Sequence, residues 1–125
     1  MKRIVSGEGV PAVIGPYSQA VIVNNMVFVS GQLPIDTATG EFELNDIKVA
    51  TKNCLQNVGA ILKAANTDFD RVIKATVFLA DIADFSDMNE VYSEYFKNDK
   101  PARSCFQVAA LPRGARVEIE VIASC

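Results

Sequence analysis

The sequence contains no histidine and only three cysteines. Without imidazole there is no Ser-His-Asp triad, no Cys-His pair, no H-E-x-x-H zinc site and no histidine proton shuttle. Acid-base chemistry therefore falls to a carboxylate, Lys, Tyr, Cys or bound water. Cys54, Cys105 and Cys125 are too few and too widely spaced for a disulfide framework or a CxxC metal knuckle. They fit a reduced compartment, with the cytosol as the default location. Long apolar runs are also missing, which argues against a membrane span. The start, Met1-Lys2-Arg3-Ile4-Val5-Ser6-Gly7-Glu8, carries a basic pair without the apolar run of a secretory signal. Positive charge is scarce: 12 Lys and Arg against 15 Asp and Glu leave a net charge of −3. That balance disfavours nucleic acid and anionic membranes as partners.

What is present points to one compact domain spanning residues 1–125. Half of the residues are apolar and 22% are charged, too hydrophobic for a disordered chain. Gly7 to Pro16 reads as an entry loop. Ala20-Val21-Ile22-Val23 and Met26-Val27-Phe28-Val29 flank Asn24-Asn25, a pair that tolerates the positive φ of a two-residue hairpin. Asp36 to Gly40 is turn-forming. From Ile47 the apolar residues Ile47, Ala50, Cys54, Val58, Ile61 and Ala65 recur at steps of three and four, an amphipathic helix. Asn45 or Asp46 can cap its start, and Asn66 can take the left-handed conformation that ends it.

Val72 to Ala80 follows as a strand with Ile73, Ala75, Val77 and Leu79 on one face. Asp84 or Ser86 caps a second helix with Phe85, Met88, Tyr92 and Tyr95-Phe96 on its inner stripe. Two more strands are expected at Ser104 to Ala110 and Val117 to Ala123, joined through Leu111-Pro112-Arg113-Gly114. The order β-β-α-β-α-β-β implies an α+β sandwich, with both helices on one face of a mixed sheet. The later strands carry apolar residues on both sides, so the bare face is expected to be covered by a second subunit.

Strand alternation places Arg103, Cys105 and Gln107 on one face and Ser104, Phe106 and Val108 on the other. A guanidinium there needs partners. It can pair structurally with Glu118 or Glu120, or clamp a substrate carboxylate. Val117-Glu118-Ile119-Glu120-Val121 alternates apolar and acidic residues, the pattern of a strand with one wet face. Either glutamate, if near a pocket, could have a raised pKa and handle a proton. Gly15-Pro16-Tyr17-Ser18 and Ser30-Gly31-Gln32 read as turn and strand-end segments where a ligand can approach the backbone. Tyr17 is a packing aromatic or a site hydroxyl, and Asn89 a surface or cap residue on the second helix. Cys105 reads as a small buried residue more than as a nucleophile.

Together these segments resemble the reactive intermediate deaminase A family (RidA, YjgF/YER057c/UK114) over nearly the whole chain. The resemblance rests on Ile14-Gly15-Pro16-Tyr17-Ser18-Gln19, on Ser30-Gly31-Gln32 with Pro34, and on Lys74-Ala75-Thr76-Val77-Phe78-Leu79. Its most specific part runs from Pro101-Ala102-Arg103-Ser104 through Val108-Ala109-Ala110-Leu111-Pro112 to Val117-Glu118-Ile119-Glu120-Val121-Ile122-Ala123. Lys100, before Pro101, departs from the aromatic or apolar residue many members carry, which is expected to affect the pocket rim or interface.

The resemblance implies a chorismate-mutase-like fold of the bacillary type, a homotrimer with interfacial pockets, and hydrolysis of reactive enamines and imines such as 2-aminoacrylate. The products are 2-keto acids and ammonia, and no cofactor or metal is involved. It also implies that Arg103 holds the substrate carboxylate, that Glu118 takes the acid-base role, and that Tyr17, Ser30, Gly31, Asn89 and Cys105 line the pocket. Two other functions are compatible with these residues: a non-catalytic trimeric module binding small carboxylates, and an endoribonuclease or translation inhibitor. The charge and the missing histidine give the latter no local support.

Overall fold

A computed structural model describes residues 1–125. The hairpin comprises β2 (Ala20–Val23) and β3 (Met26–Gln32). Asn24 and Asn25 take φ of 50° and 60°, the two consecutive left-handed residues that a type I′ turn requires. The helix α1 runs Ile47–Ala64. Asp46 starts it by accepting hydrogen bonds from the Lys48 and Val49 N–H groups, at 2.9 and 3.2 Å. Beyond its end Asn66 sits at φ 60°.

The strand β6 (Val72–Leu79), helix α2 (Phe85–Tyr95) and strand β7 (Ala102–Gln107) follow, and β8 (Val117–Ser124) closes the chain. Strand order in the six-stranded sheet is β1-β2-β3-β8-β6-β7, with β1 at Arg3–Ile4. Every pairing is antiparallel except β6 with β7, which α2 joins as a crossover. β7 is therefore an edge strand.

Alternation decides which face of the sheet is covered. Ala75, Val77 and Leu79 of β6 and Val117, Ile119 and Val121 of β8 belong to one core cluster with Leu55, Val58 and Leu62 of α1 and Met88 and Tyr92 of α2. Burial of each large aliphatic side chain there contributes about 1.5–3 kcal/mol, which fixes the strand register. The opposite face has no such cover: Phe28 and Phe106 are 38% and 46% exposed. Phe106 meets Phe78 edge-on at 5.5 Å.

Several expectations are corrected. β1 was not foreseen; its two residues pair with Val21 and Ile22. The turn at Asp36 to Gly40 joins two short strands, β4 (Ile35–Asp36) and β5 (Glu41–Phe42), in a separate ribbon. A register shift between Val72 and Lys74 turns Val72 into the core and leaves Ile73, expected on one face with Ala75, 47% exposed. β7 stops at Gln107 because its partner β6 ends opposite at Leu79, so Ala109 and Leu111 are not strand residues. Neither Asp84 nor Ser86 caps α2 through its side chain: Asp84 already has helical backbone angles, and its carboxylate pairs with Arg116 at 2.7 Å. Asp81 instead accepts from the Ala83 N–H in the short turn just before.

Candidate functional site

Arg103 lies opposite Ala75 in the β6–β7 ladder, on the face that the helices cover. Its Nη1 donates to Asn89 Oδ1 at 2.6 Å. Its guanidinium carbon lies 4.7 Å from the Tyr92 ring centroid and 5.5 Å from that of Phe85. No carboxylate accompanies it. The ion pairs of the chain are Lys48 with Glu90 and Arg116 with Asp84. Of the two alternatives, the structural pairing of Arg103 with Glu118 or Glu120 does not form within the chain: β8 alternation sends both glutamates to the other face of the sheet. A half-buried guanidinium with one neutral acceptor keeps most of its donors for an external anion.

Cys105 sits two residues along on the same face, packed against the core. Burial pushes its thiol pKa up, opposed by the Arg103 charge. The thiol therefore stays protonated, in keeping with a packing role.

Glu118 occupies the uncovered face, opposite Phe78. Burial, and secondly the charge of Glu120, raises its pKa from the usual carboxylate value. Gly31 explains how a carboxyl fits there. A Cβ at that position would lie 1.9 Å from Glu118 Oε2, so the glycine is required by space and not by backbone conformation. Ser30 and Gly31 fall within the register shift of β3 against β8. The Ser30 hydroxyl donates to the Ser18 carbonyl at 2.6 Å, and its N–H donates to that of Gln19 at 2.8 Å, tying the strand to the entry loop. Tyr17, 47% exposed, comes from that loop. With Gly31, Gln32, Phe42 and Arg113 it lines a cavity of about 560 Å³.

The expected site residues therefore form two groups in one chain. Arg103, Asn89 and Cys105 lie on the helix side of the edge strand; Tyr17, Ser30, Gly31 and Glu118 gather at the end of β3 on the open face. The first group can hold an anion and the second can exchange a proton. Sequence reasoning missed Phe85 and Tyr92 as neighbours of Arg103, treating them as core. The signal was available, since Phe85, Asn89 and Tyr92 stand at i, i+4 and i+7 on one helical stripe. No cluster of three or more Cys, Asp or Glu side chains is arranged to hold a metal ion, and no helix is long and apolar enough to cross a membrane.

The family model described as Endoribonuclease L-PSP matches residues 8–125. The chain is 54% identical over 123 residues to the 2-iminobutanoate/2-iminopropanoate deaminase of Capra hircus, covering 98% of this chain and 90% of that one. It is 50% identical over 123 residues to Reactive Intermediate Deaminase A, chloroplastic, of Arabidopsis thaliana, covering 98% of this chain and 66% of that one. Among solved structures, E. coli TdcF with bound serine superposes with a TM-score of 0.91 at 42% identity, covering 98% of each chain.

Proposed function

The chain belongs to the Endoribonuclease L-PSP family, which includes the reactive intermediate deaminases, and on that premise we propose how its residues carry the reaction. It is a 2-iminobutanoate/2-iminopropanoate deaminase, hydrolysing reactive imines to 2-keto acids and ammonia. The observation that carries the assignment of roles is the unpaired, half-buried Arg103, because every such substrate bears a carboxylate next to its imine carbon.

In this reading Arg103 binds that carboxylate through two parallel N–H donors, with Asn89 occupying a third. Water adds to the electrophilic imine carbon, forming a C–O bond while the C=N π pair moves to nitrogen. Glu118 takes a proton from the water as it adds and returns it to the nitrogen. The resulting carbinolamine then collapses: Glu118 takes the hydroxyl proton and passes it to the amino nitrogen, the oxygen electrons form the C=O bond, and the C–N pair leaves with nitrogen, giving the 2-keto acid and ammonia. A carboxyl whose pKa is raised is suited to both proton transfers near neutral pH. Tyr17, Ser30, Gly31 and Cys105 line the pocket.

Arg103 and Glu118 face opposite sides of one sheet, so a single copy does not bring them together. The open apolar face with Phe28, Phe78 and Phe106 supports association of copies. We take the functional unit to be a chorismate-mutase-like homotrimer of one-domain chains in the cytosol, each cleft combining Arg103 of one copy with Glu118 of the next. The test is pyruvate formation from enzymatically generated 2-aminoacrylate, extended across imines of different side chains. Arg103→Ala is expected to lower kcat/KM by about 10²- to 10³-fold, the worth of two charge-assisted hydrogen bonds. An unchanged rate would remove the arginine from the mechanism.

A further inference from the structure

A guanidinium that receives a carboxylate gains affinity when its orientation is fixed beforehand, because binding then has less side-chain motion to freeze. Asn89 supplies one hydrogen bond to Arg103, which sets a distance but leaves rotation about it. The aromatic surroundings supply the rest. The Tyr92 ring lies 4.7 Å from the guanidinium carbon and is itself 93% buried by its neighbours, at 7% exposure. It packs on Phe96 with centroids 4.5 Å apart, and Phe96 meets Phe69 edge-on at 5.2 Å. Phe69 in turn rests on α1 where residue 59 is glycine; a Cβ there would approach its ring to 3.0 Å. The ring facing Arg103 is thus held in place from the core outward, through α2 and α1.

The Tyr92 hydroxyl has no part in this support. It is buried and has no hydrogen-bond partner. Its contact with Arg103 is through the ring, where the quadrupole of the π face attracts the cation. Phe85 contributes a second, more distant ring at 5.5 Å.

We propose that Tyr92 is a positioning residue for Arg103, its ring, seated on Phe96 and Phe69, pre-orienting the guanidinium for the substrate carboxylate. This rests on the role of Arg103 given above, and the experiment separates the two. Steady-state kinetics on one 2-imino acid would compare wild type with Tyr92→Phe, Tyr92→Met, Phe85→Leu and Arg103→Ala, alongside thermal midpoints and the Kd for 2-oxobutanoate.

Tyr92→Met keeps bulk but loses the π face. It should raise KM and the 2-oxobutanoate Kd together by roughly tenfold, with kcat within about twofold of wild type. Tyr92→Phe keeps the face, so it should retain wild-type KM and a thermal midpoint no lower than wild type, since only an unpaired buried hydroxyl is lost. Wild-type KM in a folded Tyr92→Met, or equal impairment in Tyr92→Phe, would overturn the inference. If Tyr92→Met does not fold, Phe85→Leu decides: a KM increase of about threefold supports an aromatic cradle and no change refutes it. A silent Arg103→Ala would instead mean that the function assigned to the arginine has failed.

Discussion

The two sides of the sheet solve opposite electrostatic problems. On the helix side, Arg103 is a cation half buried among neutral groups, held by an amide oxygen and two aromatic rings. On the open side, Glu118 is a carboxyl made reluctant to ionise by burial and by Glu120. Paired with each other, the two would have cancelled: the arginine would have held the carboxyl ionised and lost its capacity for a ligand. Within one copy, the sheet between them leaves the cation without a carboxylate and the carboxyl with its pKa raised. Alternation along β7 and β8, both registered against β6, enforces that separation.

The sharpest way to break the acidic half is Glu118→Gln, which keeps shape and removes proton transfer. Its kcat is expected to fall by about 10²- to 10⁴-fold, with 2-oxobutanoate binding at Arg103 retained. Gly31→Ala should follow, with a loss of roughly 10²-fold, because the new methyl occupies the place of Glu118 Oε2 and displaces the carboxyl from its working position. A near-normal rate in Gly31→Ala would show that Glu118 need not lie where it does.

The smallest expected effect is on stability. Since burial raises the folded-state pKa of Glu118 above that of an ordinary glutamate carboxyl, 4.5, the fold disfavours ionisation. That penalty is absent below pH 4.5, grows as pH rises toward the raised pKa and is complete above it. Thermal melts of Glu118→Gln should therefore match wild type at low pH and exceed it modestly at neutral pH. The reverse pH trend would contradict the burial argument.

Local rules made much of the fold readable in advance. Asn24-Asn25 specifies its turn, Asp46 its helix start, and the alternation from Val117 to Val121 its core face, because each depends on residues close in sequence. What escaped depends on distant partners. The pairing of Arg3–Ile4 with β2 is too short to leave a periodic signal. The register shift that exposes Ile73 is set by β8, fifty residues away. Asp84 looked like a cap, but Arg116, just before β8, claims its carboxylate. At the site, residue types and alternation singled out Arg103 and the pair Glu118 and Glu120, and the family resemblance alone chose Glu118. That Arg103 and Glu118 lie on opposite faces followed from alternation only once the β6–β8 and β6–β7 registers were known. Phe85 and Tyr92 were hidden by serving the core and the arginine at once.

We propose that one working cleft draws Arg103 and Glu118 from different copies. Mixing the two inactive variants Arg103→Ala and Glu118→Gln at equal amounts, by co-expression or by refolding together, tests it directly. If each cleft combines two copies at random, about one in four has both native groups, and activity should return to about a quarter of the wild-type rate. If both groups act from within one chain, every cleft carries a defect, and the mixture will stay as inactive as its parents.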